Sequence, residues 1–357
     1  MKMSYLSCVV TLLSAAPLAV VASSWDQSQN NLTLSGTLAT NSNLFNTSAN
    51  AVSASRTQLA LEWDWRQLYE GYALALPLSV ARLHYNTALI DDTTLYQADP
   101  TLRFFLSEST DLSVETAFSR RQVLRGDDAA EFLAADEPVL QAESRQAQLV
   151  LQVGRAPDTQ NIQFRLGKTI EDREAGSRTL ASLDSALAEL RYQHKLNENI
   201  AVVLDAGRRQ EQQAGLATDV NQAGAGLALA WTGHQQLQLI VGRFSRSYQQ
   251  ADDVTGSYWQ LSNQWQLNQQ WQLQLSSSRQ SVLSYALDSI SQLDTRHQLQ
   301  LQWTPVQQHQ LAFSVSQLRS QLSRQLRSPD RARTIRWTCG FFVAANTTVR
   351  SASNTSS

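Results

Sequence analysis

Lysine is nearly missing from this 357-residue sequence. Among 29 basic residues only Lys2, Lys168 and Lys195 are lysine, and arginine supplies the rest. The net charge is −2, so the chain lacks the concentrated basic face that nucleic-acid binding needs. Cysteine is limited to Cys8 and Cys339, which excludes an intramolecular disulfide framework once Cys8 falls in a removed leader. There are no paired cysteines and no HxxxH spacing, so no metal-ligand cluster is expected. A Gly-rich phosphate loop is missing too, and no cofactor is expected. Beyond the first two dozen residues no apolar run is long enough to cross a bilayer as a helix.

That first stretch has its own character. Lys2 precedes an apolar run from Leu6 to Val21, and the small residues Ala22, Ser23 and Ser24 follow. A positive start, a short apolar centre and small residues at a cleavage point form a secretory leader, with cleavage expected after Ala22. The expected organisation is therefore a leader over 1–22, one domain over 23–344 and a polar tail over 345–357.

What the mature chain does have is alternation. In Leu59-Ala60-Leu61-Glu62-Trp63-Asp64-Trp65 the large apolar side chains share one parity and the acids the other. The same period of two recurs in Ile162–Leu166, Ala188–Tyr192, Trp271–Leu275 and Leu299–Trp303, where glutamine or charge fills the opposite parity. Successive strand side chains point to opposite faces, so this pattern reads as strands with one apolar and one polar face. Short connections near 66–71, 108–111, 156–161, 196–199, 232–236, 266–270 and 304–309 alternate with longer polar stretches near 42–56, 84–95, 122–146, 169–184, 209–222, 247–257, 280–296 and 320–332. Short periplasmic turns and long extracellular loops are the asymmetry of transmembrane barrels.

The count gives about sixteen strands, each expected to have the ~9–11 residues that a tilted strand needs to cross hydrocarbon. The fold class is thus all-β: a transmembrane, antiparallel, up-and-down barrel in a Gram-negative outer membrane. Its partners are the lipid bilayer and the outer-membrane assembly machinery. Trp63, Trp65, Trp231, Trp265, Trp271 and Trp303 share the apolar parity and sit beside short turns, as an interfacial aromatic girdle would. In lipid every backbone group must be paired, so the sheet must close. At this size side chains alone do not fill the lumen.

On this parity Glu62, Asp64, Arg103, Arg165 and Arg191 point into the lumen, and the later strands point glutamines and serines inward. The longest loop carries Asp127, Asp128 and Glu131, and folding inward would set these acids opposite Arg103, Arg165 and Arg191 as a constriction. A mixed-charge lumen suits small polar solutes or oligosaccharides, because arginines and amides bind hydroxyls and carboxylates. Tyr96-Gln97-Ala98-Asp99-Pro100-Thr101-Leu102-Arg103-Phe104-Phe105-Leu106-Ser107-Glu108, followed by Leu112-Ser113-Val114, resembles a hairpin of the outer-membrane β-barrel porins found with exopolysaccharide genes. That resemblance implies a passive envelope barrel that would serve polysaccharide export, and supplies no catalytic residues.

An enzyme would need an activated nucleophile or water beside a base. Only His84, near Asp91 and Asp92, combines a base with acids, and no serine lies in a recognisable active-site segment, so no catalytic residue is assigned. A non-conducting barrel that docks partners is the other class left open. The C-terminus departs from the pattern: Cys339-Gly340-Phe341-Phe342-Val343 breaks the alternation begun by Ile335 and Trp337. This leaves two readings, a polar tail after the last strand or a reading-frame change near Thr334.

Overall fold

The alternating segments become strands because each buries its backbone polar groups in two neighbouring ladders. The computed structural model describes residues 7–11, 28–41, 53–124, 139–154, 159–175, 178–213, 216–231, 234–249, 251–283, 291–306, 309–322 and 333–345. A short strand, β1 (Ser7–Thr11), precedes the wall. The wall begins with β2 (Gln29–Asn41), β3 (Ala54–Tyr69) and β4 (Tyr72–Tyr85), then β5 (Thr93–Ala98), β6 (Thr101–Phe105) and β7 (Thr110–Leu124). It continues through β8 (Val139–Val153), β9 (Gln160–Ala175), β10 (Arg178–Asn197), β11 (Ile200–Gln213) and β12 (Leu216–Trp231). The last strands are β13 (Gln235–Tyr248), β14 (Ala251–Gln266), β15 (Trp271–Leu283), β16 (Ser291–Val306), β17 (His309–Leu322) and β18 (Arg333–Ala345).

From β2 to β18 neighbouring staves pair antiparallel, and the ring is completed through β1, which lies between β18 and β2 and pairs with both. β5 and β6 both lie between β4 and β7, so together they make one stave. With β1 set apart the barrel has sixteen staves among the described residues, as the count of alternating segments anticipates. The interrupted stave breaks at Asp99-Pro100, where proline has no N–H to give to a ladder. The Pro100 carbonyl still accepts from Thr116 N at 2.9 Å, so the sheet heals across the break. Between β3 and β4 the turn is two residues, Glu70-Gly71, and Gly71 takes φ 84°, a conformation open to glycine.

The strands are longer than expected. They run to 16 residues in β3 and 20 in β10 rather than about ten. Most of 169–184, 209–222 and 247–257, read from sequence as long loops, is strand: β9 reaches Ala175 before β10 starts at Arg178, and β11 reaches Gln213 before β12 starts at Leu216. The physical reason is that a hairpin rising above the membrane is wet on both faces. It needs no apolar parity there, so its sequence looks like loop while its ladder continues. The strand ends Asn41, Ala54, Leu124, Val139, Leu283, Ser291, Leu322 and Arg333 share one rim, named the extracellular one here because long connections face outward in such barrels.

β1 falls inside the segment read as a leader. It pairs parallel with β18, from Ser7↔Thr338 to Val10↔Phe341, and antiparallel with β2 at Val10↔Thr40 and Thr11↔Ala39. β18 and β2 therefore run antiparallel to each other, the orientation that a directly paired seam needs. β18 itself is paired along its whole length with β17, from His309↔Ala345 to Gln321↔Arg333.

Candidate functional site

The two faces of the wall separate cleanly. Leu32, Leu34, Leu59, Leu61, Val80, Leu149, Phe164, Leu166, Leu190, Leu204, Leu227, Leu239, Val241 and Leu299 are exposed on the outer face. On a water-soluble protein such a belt would drive aggregation; on a closed sheet it is the surface that lipid covers. Trp271 and Trp303 are direct cross-strand partners, stacked with centroids 5.5 Å apart, beside the turn that ends at Gln270. Trp231 and Trp265 are exposed at the same rim, and Trp63 donates its indole N–H to Asn30 at 2.7 Å. Trp65 shares the outer parity of Trp63 and faces Leu76 in the ladder.

The inner face is polar, and its charges are matched along the wall rather than across the lumen. Near the periplasmic rim Arg103 donates to Asp111 at 2.7 Å, and its guanidinium lies 5.6 Å from the Phe105 ring centre. Asp64 is held by Arg66, two residues on, at 3.0 Å. Glu62 lies on the same inward parity, opposite Thr33 and Ser79. At mid-height Arg165 pairs with its ladder neighbour Glu189 at 3.1 Å, and Arg191 with its neighbour Asp205 at 3.3 Å. Tyr258 from β14 donates to Asp205 at 3.5 Å. Arg165, Glu189, Arg191 and Asp205, with Gln163, Gln222 and Gln260, line a cavity of about 70 Å³. Register then carries neutral amides round the wall: Gln236↔Gln264, Gln264↔Gln274, Gln274↔Gln300 and Gln300↔Ser314.

Higher up, two carboxylates are each clamped by two guanidiniums. Glu171 on β9 accepts from Arg173 at 2.7 Å and from Arg121 of β7 at 2.8 Å. Glu211 on β11 meets Arg209 at 2.7 Å and Arg246 of β13 at 2.6 Å. Arg246 is fully buried, and it also donates to the Ser281 hydroxyl at 3.1 Å. Arg209 donates to the Ser281 carbonyl at 3.2 Å. Ser281 belongs to β15, so the extracellular end of that strand lies against the inner side of β11 to β13. Beneath this contact Val203, Ile240, Phe244 and Tyr258 form a buried apolar cluster joined by Leu293 of β16.

Of the residues singled out from sequence, Arg165 and Arg191 come together in one cavity, whereas Arg103 is engaged separately by Asp111. Asp127, Asp128 and Glu131 lie outside the described residues. His84 Nδ1 stands 2.8 Å from Asp92, with Arg82 3.7 Å from the same carboxylate. Arg82 lies on the outer parity, opposite Leu59, and both Arg82 and His84 are largely exposed. Among the described residues no group of histidine, cysteine and carboxylates is placed to hold a metal ion. Sequence reasoning missed the clamped Glu171 and Glu211, although opposite charges at i and i+2 (Glu171/Arg173, Arg209/Glu211) mark a same-face pair once the segment is known to be strand.

No family model matches the sequence, and no curated protein matches it. Solved structures are similar to it only at TM-scores below 0.5. The iron transporter FrpB of Neisseria meningitidis (F3-3 variant) is 8% identical with a TM-score of 0.48, over 86% of this chain and 57% of that one. The siderophore receptor PiuA of Acinetobacter baumannii is 10% identical with a TM-score of 0.46, over 93% and 66%. The anion-selective porin of Comamonas acidovorans is 11% identical with a TM-score of 0.40, over 89% and 94%. The chain spans less than two thirds of the length of either receptor. The class rests on the sheet itself: a closed antiparallel barrel, apolar outside and polar inside, is an outer-membrane β-barrel, and the outer membrane is where this protein resides.

Proposed function

We propose that the protein is a porin-like channel for passive passage of small hydrophilic solutes or saccharides. The observation that carries this reading is the inner wall. Its charges are neutralised sideways in the Arg165–Glu189 and Arg191–Asp205 pairs, and its amides form a row over β13 to β16 that meets Ser314 on β17. A wall of this kind offers hydrogen bonds to a passing hydroxylated solute without a trapping net charge. Refolded mature protein in a planar bilayer should give stable, reproducible conductance steps that added oligosaccharides interrupt. Deleting 127–137 should enlarge those steps if that loop narrows the lumen; unchanged conductance would end the constriction idea.

A second reading has its own support. The packing of the upper part of β15 on the inner side of β11 to β13 narrows the wall-to-wall space. This favours a non-conducting barrel that docks partners or assists exopolysaccharide export. A protein that inserts and folds yet stays electrically silent would select it. In either case the leader is removed: the intact mass of the outer-membrane form should correspond to a chain starting at Ser23, with β18 closing directly on β2. Recovery of the full-length mass from folded protein would refute that processing.

A further inference from the structure

The outer face changes chemistry at a constant height. From the periplasmic end several strands present apolar residues outward for a number of positions, then a cation or hydroxyl. Lys168 comes eight residues after Gln160, Arg208 eight after Ile200, Arg243 eight after Gln235 and Arg279 eight after Trp271. Arg319 comes ten after His309. Eight residues at ~3.4 Å each, on a strand tilted ~40°, rise about 20 Å, close to the ~25 Å apolar band of such barrels. The cations therefore stand where the outer leaflet's headgroups begin. An outward arginine is costly at the bilayer centre and nearly free at the interface.

Around the barrel these cations fall into two sectors. From β7 to β12 each has a carboxylate beside it: Arg120–Glu143 at 3.8 Å, Arg145–Asp172 at 3.9 Å, Lys168–Asp184 at 3.0 Å and Arg208–Asp219 at 3.2 Å. From β13 to β17, among the described residues, no carboxylate forms an ion pair with Arg243, Arg279 or Arg319. Instead the ladder sets hydroxyls between them: Arg243↔Ser257, Arg279↔Thr295 and Thr295↔Arg319 are direct partners. Arg279 donates to Ser257 at 3.3 Å and lies 5.4 Å over the Trp259 ring, whose indole N–H is fixed by Ser277 at 3.0 Å. With neighbouring strands ~4.8 Å apart, cations on alternate strands are about 10 Å apart. The result is one row of three guanidiniums interleaved with hydroxyls, facing the lipid and carrying net positive charge.

We propose that the row Arg243, Ser257, Arg279, Thr295 and Arg319 seats the phosphate groups of a phosphorylated lipid of the outer leaflet. This inference rests on the membrane-barrel reading but not on whether the lumen conducts. Guanidiniums offer paired N–H donors to phosphate oxygens, and the hydroxyls between them add further donors. The apolar belt directly below, with Leu239, Val241, Leu275 and Leu299, receives the acyl chains of the same molecule.

The test is native mass spectrometry of the folded, detergent-extracted barrel with bisphosphorylated lipid A and its dephosphorylated form as probes. Wild-type protein should retain the phosphorylated probe and not the other. The R243Q/R279Q/R319Q variant should bind it about 100-fold more weakly, since a basic residue at an anionic membrane surface contributes roughly fivefold. R145Q/K168Q/R208Q, which removes the paired cations, should bind within about threefold of wild type, as exposed ion pairs contribute little. Equal retention of both probes, or equal loss in the two triple variants, would overturn the proposal. If a triple variant does not fold, single R243Q and R319Q variants carry the comparison, each expected to lose several-fold. Wild-type protein that fails to insert into vesicles as a folded, heat-modifiable species would overturn the barrel reading, and the seat with it. A folded barrel without phosphate preference would overturn the seat alone.

Discussion

Glu211→Ala lowers the urea midpoint of the folded barrel in lipid vesicles more than any other single charge removal on the inner wall. Glu211 is 4% exposed and Arg246 has no exposed surface. Removing the carboxylate leaves the Arg246 guanidinium buried with, among the described residues, only Ser281 as partner, and breaking a buried pair from one side costs about 3–5 kcal/mol. Arg209 is about one-third exposed and recovers part of its hydration, so the loss falls chiefly on Arg246. The expectation sharpens in a double variant. Glu211→Leu with Arg246→Met removes both charges and keeps the volume, and such replacements are often neutral. The double variant should therefore be more stable than Glu211→Ala alone. Additive losses in the two single variants and the double would show that the pair is not coupled and would sink the argument.

The comparison with Arg165–Glu189 gives scale. Those groups are each about one-third exposed, so either single replacement there should cost less than about 1 kcal/mol. The inner wall thus combines two kinds of charge: a wet, weakly coupled ladder at mid-height and a dry, strongly coupled clamp above it. The wet ladder is accessible to a solute, whereas Glu211 and Arg246 are not. Its replacement should alter ion selectivity with little change in stability, while replacement of the clamp should do the reverse.

Much of the barrel is legible in the sequence because period two is a direct imprint of the pleat. The inward parity of Glu62, Asp64, Arg165 and Arg191 follows from the outward parity of Leu61, Trp63, Phe164 and Leu190. The stave count survives the interruption at Asp99-Pro100 because both fragments occupy one place between β4 and β7. The strand tips are not legible. Above the membrane both faces of Glu171–Glu174 and Arg208–Gln213 meet water or polar neighbours, so composition there gives no parity signal. The partners of the inward charges are also hidden. Arg121 meets Glu171 across 50 residues and Arg246 meets Glu211 across 35, contacts that exist only once the sheet is rolled. The outward cation row is hidden for a related reason. Each arginine looks like an ordinary polar residue in its own strand, and only the register aligns Arg243, Arg279 and Arg319 at one height.

The inner side of β12 and β13 supplies the other large effect. Gly224, Gly226 and Gly242 share the inward parity, and the ladder pairs Gly226↔Ile240 and Gly224↔Gly242. A Cβ at Gly226 would collide with the Leu239 carbonyl oxygen and lie 2.8 Å from both the Leu239 carbonyl carbon and the Ile240 Cα. These are backbone atoms, so no side-chain rotation relieves the clash and the two strands must separate. Gly226→Ala should therefore exceed the usual overpacking cost of about 1–3 kcal/mol, since ladder hydrogen bonds are strained as well. Gly36 on β2 is the internal control. It is exposed, and a Cβ there meets nothing within 4 Å. Gly36→Ala removes unfolded-state freedom, which should stabilise by about 0.4–1 kcal/mol. Urea titrations of both variants in vesicles should move in opposite directions. If Gly226→Ala folds with an unchanged midpoint, β12 and β13 do not approach as closely as described, and the seating of Tyr258 against Gly242 and Gly224 falls with it.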